Sequence, residues 1–320
     1  MDTIKKRLKT TKGETFIFTI VWLLLVITGC NTKPDSKQLA YLPEAEATND
    51  IPVSKKPPSP DFNAYWYAGE AEISSYQLEQ ARYGEIRTGK AVLIYVTEDF
   101  LPKIQVKADY PNAKNISVLK LNATKNFNTG IYPYSIMQST FYPISNNKHA
   151  LKVSSSMQEW CGHVYMQLNN RDQFEIMSHP YFEGEADTNA VVEKSILENE
   201  LWTQLRINPK SLPTGTLNII PSFEFIRLKH VHLRAYKSNA HLTETSYSIT
   251  YPDLNRTLTI YFNALFPFEI ESWEESVKSG YGPNAKVLTT KATKLKTIKS
   301  PYWQKNSNKD EVLRETLLLN

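Results

Sequence analysis

Between Ser246 and Phe262 the chain alternates polar and apolar residues at a period of two. Tyr247, Ile249 and Tyr251 interleave with Ser246, Ser248 and Thr250. Pro252-Asp253-Leu254-Asn255 supplies a turn, and Leu258, Ile260 and Phe262 then interleave with Thr257, Thr259 and Tyr261. Successive side chains of a strand point to opposite faces, so this pattern buries one face and wets the other. Two such runs joined by a short turn form an antiparallel pair, since a parallel pair needs a crossover of about a dozen residues. The reading extends in both directions. Phe223 to Tyr236 is rich in strand formers and precedes a Lys237-Ser238-Asn239-Ala240 turn, and Phe268 and Ile270 alternate with Glu269 and Glu271.

Further strands are expected at Ala91–Val96, at Ile116–Leu121, around Val164-Tyr165-Met166 and through Phe174 and Ile176. With 18 Tyr and 13 Phe against 11 Gly, the composition favours pleated, half-buried surfaces. One segment breaks the pattern. From Asn189 to Arg206, Val192, Ile196, Leu201 and Leu205 recur at helical spacing opposite Glu193, Glu198 and Glu200, which predicts an amphipathic helix ending before Pro209. A second short helix is expected at Lys309–Leu319. The predicted fold is therefore mainly β: a large curved antiparallel sheet or half-barrel with one or two amphipathic helices. It occupies residues 61–320 and divides into β halves at 61–183 and 207–300, joined by the 189–206 helix.

The N-terminus predicts export. Lys5, Lys6, Arg7, Lys9 and Lys12 form a basic segment ahead of an apolar run from Phe16 to Ile27. At ~1.5 Å per residue that run spans roughly 18 Å, short for a bilayer core of about 30 Å but suited to a signal peptide. It ends in Ile27-Thr28-Gly29-Cys30, an aliphatic-small-small-cysteine pattern that resembles the bacterial lipobox. Residues 1–29 are read as the signal, with Cys30 as the lipidated residue and the anchor to a membrane. Residues 30–60 hold six of the eighteen prolines and few apolar residues, which predicts an extended tether. Asn31 stands where many inner-membrane lipoproteins carry Asp, so the expected address is the outer membrane, on its periplasmic face.

Export changes the charge argument. The whole chain is +4, but residues 1–29 carry five basic and two acidic residues, leaving 32 basic against 31 acidic in the remainder. A near-neutral body removes the electrostatic case for nucleic acid. Two cysteines are present, and with Cys30 acylated only Cys161 keeps a thiol, so no internal disulfide is available.

Four groups of residues have the composition of chemical sites. Glu159-Trp160-Cys161-Gly162-His163 would set Glu159, Cys161 and His163 on one strand face, the ingredients of a nucleophile set. Neighbours on one face lie ~6.6 Å apart with parallel side chains, whereas Cys–His catalysis needs contact near 3 Å; the alternative is a buried Cys and Trp. His230 and His232 form an H-x-H that would present two imidazoles from a strand to zinc, with no third ligand within reach. Glu70 with Glu72 and Glu269 with Glu271 are carboxylate pairs of the kind glycoside chemistry uses, or plain solvated faces. Lys286, Lys291, Lys294, Lys296 and Lys299 form an acid-free run, expected either to guard a sheet edge or to face anionic lipid or an acidic partner. No Ser-x-x-Lys, G-x-S-x-G, phosphate-loop or dinucleotide fingerprint is present, and no cofactor is implied.

The stretch from Phe62 to Asn169, with Tyr83-Gly84-Glu85-Ile86-Arg87, Val96-Thr97-Glu98-Asp99-Phe100 and Gln158-Glu159-Trp160-Cys161-Gly162, resembles an uncharacterised family of Bacteroidetes-type outer-membrane lipoproteins. Tyr251 to Glu274, with Phe266-Pro267-Phe268-Glu269-Ile270, is similar to the same family. Some members carry the label septum formation inhibitor Maf, which implies a cytoplasmic α/β nucleotide pyrophosphatase. An export signal, a strand-rich body and the lack of the Maf phosphate-binding segment do not fit that activity. The meander also resembles, at fold level, LolA-like half-barrels, which implies carriage of lipid or lipoprotein.

The function expected on these grounds is a non-catalytic lipid- or ligand-binding or scaffold lipoprotein of the envelope, whose apolar concavity receives an acyl chain or partner segment. Two alternatives stand beside it. One is an envelope hydrolase using Cys161 and His163 or a metal on His230 and His232. The other is a structural protein docking to an envelope partner through the basic 286–299 face.

Overall fold

The structure, a computed structural model, describes residues 59–145, 149–279 and 282–320. The expected signal peptide, Cys30 and nearly all of the expected tether lie outside the described residues.

The first strands of the described residues form a hairpin. Strands β1 (Ala71–Arg82) and β2 (Glu85–Leu101) are joined by Tyr83 and Gly84, both with positive φ, +55° and +79°. That two-residue geometry matches the twist of the flanking strands. The meander continues through β4 (Ile116–Thr129), β5 (Tyr132–Pro143), β6 (Lys152–Glu159), β7 (Gly162–Asn170), β8 (Phe174–His179) and β9 (Thr188–Val192), each pairing antiparallel with its neighbour. A two-residue β3 (Val106–Lys107) pairs with the end of β2.

A second meander follows. It comprises β10 (Ile196–Leu197), β11 (Gly215–Ile220), β12 (Tyr236–Leu242), β13 (Ser246–Tyr251), β14 (Arg256–Phe262), β15 (Ile270–Ser279) and β16 (Lys286–Ser300). Antiparallel pairing of β16 with β1 welds the two meanders into one 16-stranded sheet. The free edges of that sheet are β9 and β10. They are consecutive in the chain, and the three residues between Val192 and Ile196 span at most about 14 Å. The sheet is therefore curled until its edges nearly meet, an incompletely closed barrel rather than an open plane.

Three helices pack inside the curl. Helix α1 (Pro60–Trp66) starts at Ser59, whose hydroxyl accepts from the Phe62 amide, and buries Phe62 and Trp66. Helix α2 (Glu198–Ile207) places Leu201 and Leu205 in the same core as Tyr76, Leu93, Tyr247 and Trp273 from the sheet. Helix α3 (Phe223–Lys229) starts at Ser222, whose hydroxyl accepts from the Phe225 amide. A short α4 (Val312–Thr316) closes the chain near the expected position.

The strands expected between Ser246 and Phe262 are present, with Tyr247 opposite Ile260 and Ile249 opposite Leu258, all buried. Three expectations are corrected, the first being the turn at 237–240, which is instead the middle of β12 and pairs with β11 and β13. Residues 189–192 belong to β9 rather than to a helix, because β8 offers them a ladder and Val191 and Val192 suit a strand. The helix begins only at Glu198, where the Glu200 carboxylate accepts from the Leu197 amide. Residues 223–229 are helical rather than extended, because the Ser222 cap and amide bonds to Asn199 and Gln138 hold the first turn.

Strands β2 and β4 approach closely at one point. A Cβ added to Gly89 would meet the Asn126 carbonyl oxygen at 2.3 Å and the Phe127 Cβ at 2.7 Å. Only glycine permits β2 and β4 to approach so closely. Gly89→Ala is expected to destabilise by about 1–3 kcal/mol, read as a lower urea midpoint. An unchanged midpoint would mean that the two strands separate there at no cost.

Candidate functional site

The inward face of the sheet is not uniformly apolar. Glu72 of β1 and Arg206 of α2 form a bidentate pair at 2.6 Å for both bonds, each side chain 1% exposed. Arg206 also donates to the Pro267 carbonyl at 2.9 Å and lies against the Trp66 and Tyr95 rings at 5.1 and 4.7 Å. The Tyr65 hydroxyl donates to Glu72 at 2.6 Å. Burial pushes the Glu72 carboxyl up, but the Arg206 charge and its hydrogen bonds outweigh that and hold it below the usual carboxylate range. The two side chains satisfy each other, and the Tyr65 hydroxyl and the Pro267 carbonyl take up their remaining hydrogen bonds.

At the other end of α2 the arrangement differs, because charged groups surround a cavity. Arg256 of β14 makes a bidentate pair with Glu198 and donates through Nε to Glu275 at 2.5 Å. Tyr251 donates to Glu198 at 2.7 Å. Burial pushes Glu275 up, while Arg256 and Lys125 pull it below its ordinary value. Across the cavity Lys125 pairs with Glu224 at 2.7 Å, Gln138 donates to Glu224 at 3.1 Å, and Asn199 donates to Gln138 at 2.9 Å. Trp202 and Trp273, edge to face at 5.3 Å, complete the wall.

This chamber has a volume of about 70 Å³. At ~10–15 Å³ for each water, that is room for roughly five waters. The expected concavity is small, with charged groups set into largely apolar walls, because α1, α2 and α3 fill much of the curl.

A second cavity of about 260 Å³ adjoins it, lined by Tyr83, Tyr134, Tyr181, Phe182, Glu159 and His230 among others. Arg82 and Leu228 line both cavities and form the partition between them. The Arg82 guanidinium donates to the Leu228 carbonyl at 2.8 Å and to the Tyr83 and Tyr134 hydroxyls at 3.0 and 3.2 Å, and lies 4.2 Å from the Tyr83 ring centre. Tyr83 and His230 hold left-handed backbone conformations, φ +55° and +52°, in which side chains other than glycine are uncommon. Both line this cleft. Gly162 lets the Tyr181 ring lie on the β6–β7 hairpin, since a Cβ there would meet that ring at 2.7 Å.

The candidate nucleophile set does not assemble, and the buried Cys and Trp expected in its place are not found either, because both residues lie in an exposed turn. Cys161 sits in the turn between β6 and β7 rather than on a strand, exposed, beside Trp160, which is 68% exposed. Glu159 accepts from the Cys161 amide at 2.7 Å, and its hydrogen bonding and charge push the thiol above its ordinary value, away from the reactive thiolate. His163 is exposed on β7 opposite Gln158, and no hydrogen bond joins it to Cys161 among the described residues.

The H-x-H pair is not on a strand either. His230 caps α3 and hydrogen-bonds to Glu185 at 2.8 Å, while His232 lies in the following loop. Among the described residues no group of three or more His, Cys, Asp or Glu has metal-binding geometry. Glu159 and His230, expected in separate sites, instead line one cleft.

The lysine run is not at an edge. Strand β16 lies between β15 and β1, because it is the strand that joins the two meanders. Lys291 pairs with Glu274, Lys294 with both Glu269 and Glu271, and Lys299 with the Tyr65 carbonyl and ring, while Lys286 and Lys296 are exposed. Glu269 and Glu271 are therefore held by one lysine, and Glu72 is sealed in its ion pair.

Arg256 was legible as an exception to the alternation, since it is in phase with Leu258 and Ile260. Glu275 was not: it shares the parity of Glu269 and Glu271 and turns inward only because the pairing of β14 with β15 shifts register between Tyr261 and Phe262. Lys125, Glu224, Arg82 and Lys229 carry no such signal.

No protein-family model and no curated protein matches this chain. Among solved structures, it is similar to the crystal structure of a β-barrel-like protein of a domain of unknown function, DUF1849, from Brucella abortus. That match has a TM-score of 0.41 and 7% sequence identity, and covers 72% of this chain and 97% of the other.

Proposed function

We propose that the protein is a non-catalytic ligand-binding lipoprotein of the cell envelope, and that its ligand enters through the tyrosine-lined cleft toward the polar chamber. The observation that carries this reading is the ring of charged side chains around the chamber. Buried ion pairs are seldom more stabilising than well-packed apolar residues, so a fold gains little by lining an internal cavity with them. A cavity with a few convergent polar groups in otherwise apolar walls is the usual form of a small-molecule site. The chamber is too small for an acyl chain, so the ligand reading replaces the lipid one. The cleft residues Glu159 and His230 contact the ligand in this scheme; Cys161 and His163 do not take part.

The basic, apolar and small-plus-Cys order of the first thirty residues supports an anchor on Cys30, in the outer membrane and facing the periplasm. One experiment addresses both parts. The full chain, expressed with its own signal in a Gram-negative host and released in mild detergent, is weighed by native mass spectrometry. An acyl increment that Cys30→Ser removes, together with one small molecule bound per chain, is the expected result. A bare chain that takes up nothing saturably from an envelope extract would end the ligand reading, and an unmodified Cys30 would end the anchor.

A further inference from the structure

The chamber holds four cations, Arg82, Lys125, Lys229 and Arg256, against three carboxylates, Glu198, Glu224 and Glu275. All three carboxylates are engaged: Glu224 by Lys125, and Glu198 and Glu275 by Arg256. Arg82 and Lys229 remain. Among the described residues neither is paired with a carboxylate. Arg82 is held by a carbonyl and two tyrosine hydroxyls, and Lys229 donates to the Lys278 carbonyl at 3.0 Å.

The two cations are close enough to act on each other. Burial is the largest influence lowering the Lys229 pKa; the Glu275 charge opposes it, and the Arg82 charge adds to it. They converge on one place, since Arg82 grips the carbonyl of Leu228, the residue before Lys229, at the end of α3. Glu275, already held by Arg256, offsets part of the repulsion between them, and an anion placed between the two cations lowers the rest. Arg82 also faces the cleft, whose Tyr83, Tyr134 and Phe182 rings offer aromatic surface to whatever that anion is attached to.

Building on the ligand-binding reading above, we propose that the ligand is a small ring-bearing oxyanion, its carboxylate or phosphate between Arg82 and Lys229 and its ring among the cleft tyrosines. A single negative charge brings the chamber from one excess positive charge to neutrality. Arginine suits the planar, two-oxygen geometry of either head group, and lysine supplies a point charge beside it.

The test is a titration of the full chain with benzoate, phenyl phosphate and the uncharged benzyl alcohol, followed by thermal unfolding at fixed ionic strength. Benzoate or phenyl phosphate is expected to raise Tm saturably and benzyl alcohol not to; whichever anion binds more tightly identifies the head group. Lys229→Met is expected to weaken that binding at least tenfold while leaving the unliganded Tm near wild type, because its one hydrogen bond is to a backbone carbonyl. Arg82→Met is expected to weaken it as much, and Arg82→Lys to recover part. Equal shifts from benzyl alcohol, undiminished binding in Lys229→Met, or no saturable shift with either anion would overturn the proposal. A neutral molecule found by native mass spectrometry would overturn it too while leaving the ligand-binding function intact.

Discussion

Arg206→Met is expected to cost the fold about 3–5 kcal/mol, read as a lower urea midpoint at neutral pH. The substitution keeps most of the side-chain volume and removes the charge. What it leaves behind is the Glu72 carboxylate, 1% exposed, with only the Tyr65 hydroxyl as a strong partner. A buried charge without its counter-ion carries most of that cost, so Glu72→Met combined with Arg206→Met should restore much of the stability lost in the single variant. The same pair predicts acid sensitivity. Glu72 has a folded pKa below its unfolded value near 4.3, so its contribution is fully present above that value and is lost as pH falls through the folded one. Wild-type stability should therefore drop more steeply on acidification below about pH 4 than that of the double variant. A single-variant loss under about 1 kcal/mol would show that Arg206 does not hold α2 in place.

Arg256→Met is expected to be of similar size, about 3–5 kcal/mol, since it strands two carboxylates at once. Glu198 loses its bidentate partner and Glu275 loses the largest of the three charges that keep it below its ordinary pKa. This variant differs from the first in its effect on function, because Arg256 lines the chamber and Arg206 does not. Bound small molecule should be lost from Arg256→Met, assayed under conditions where it remains folded, and retained by the Glu72–Arg206 double variant. Retention of ligand by folded Arg256→Met would move the binding site out of the chamber.

Both predictions concern one helix. Glu198 is the first residue of α2 and Arg206 the last but one, about 12 Å apart along the axis at 1.5 Å per residue. Each end is bolted to the sheet by a buried ion pair, and Glu200 adds a third attachment by accepting from the Ala150 amide at 2.7 Å. The acidic residues stand in the first turn and Arg206 in the last, so the pairs also suit the helix dipole. The helix is fastened to strands of both meanders, which keeps the chamber wall in a fixed position relative to the cleft.

What was legible in the sequence is what depends on neighbours within a few residues. The alternation from Ser246 to Phe262 requires extended backbone with one buried face, because a strand has a period of two wherever it lies. Arg256, placed in phase with that buried face, could only be inward, and an inward charge must find a partner. Phe223–Leu228 was misread because six mostly apolar residues carry no clear period, and a Ser222 cap together with contacts from α2 and β5 settled them as a helix. The misreading put His230 and His232 on a strand that does not exist.

By itself, the sequence determined an antiparallel, strand-rich body with one wet face, since backbone geometry alone imposes this on such a pattern. Only the tertiary structure decided that β1 pairs with β16, which turned an expected lysine-guarded edge into the middle of the sheet and brought the ends of the meanders together. That pairing joins residues more than two hundred positions apart, and no local pattern specifies it. The chamber exists because of it: Arg82 from the first meander and Lys229 and Arg256 from the second face one cavity only once the sheet has curled.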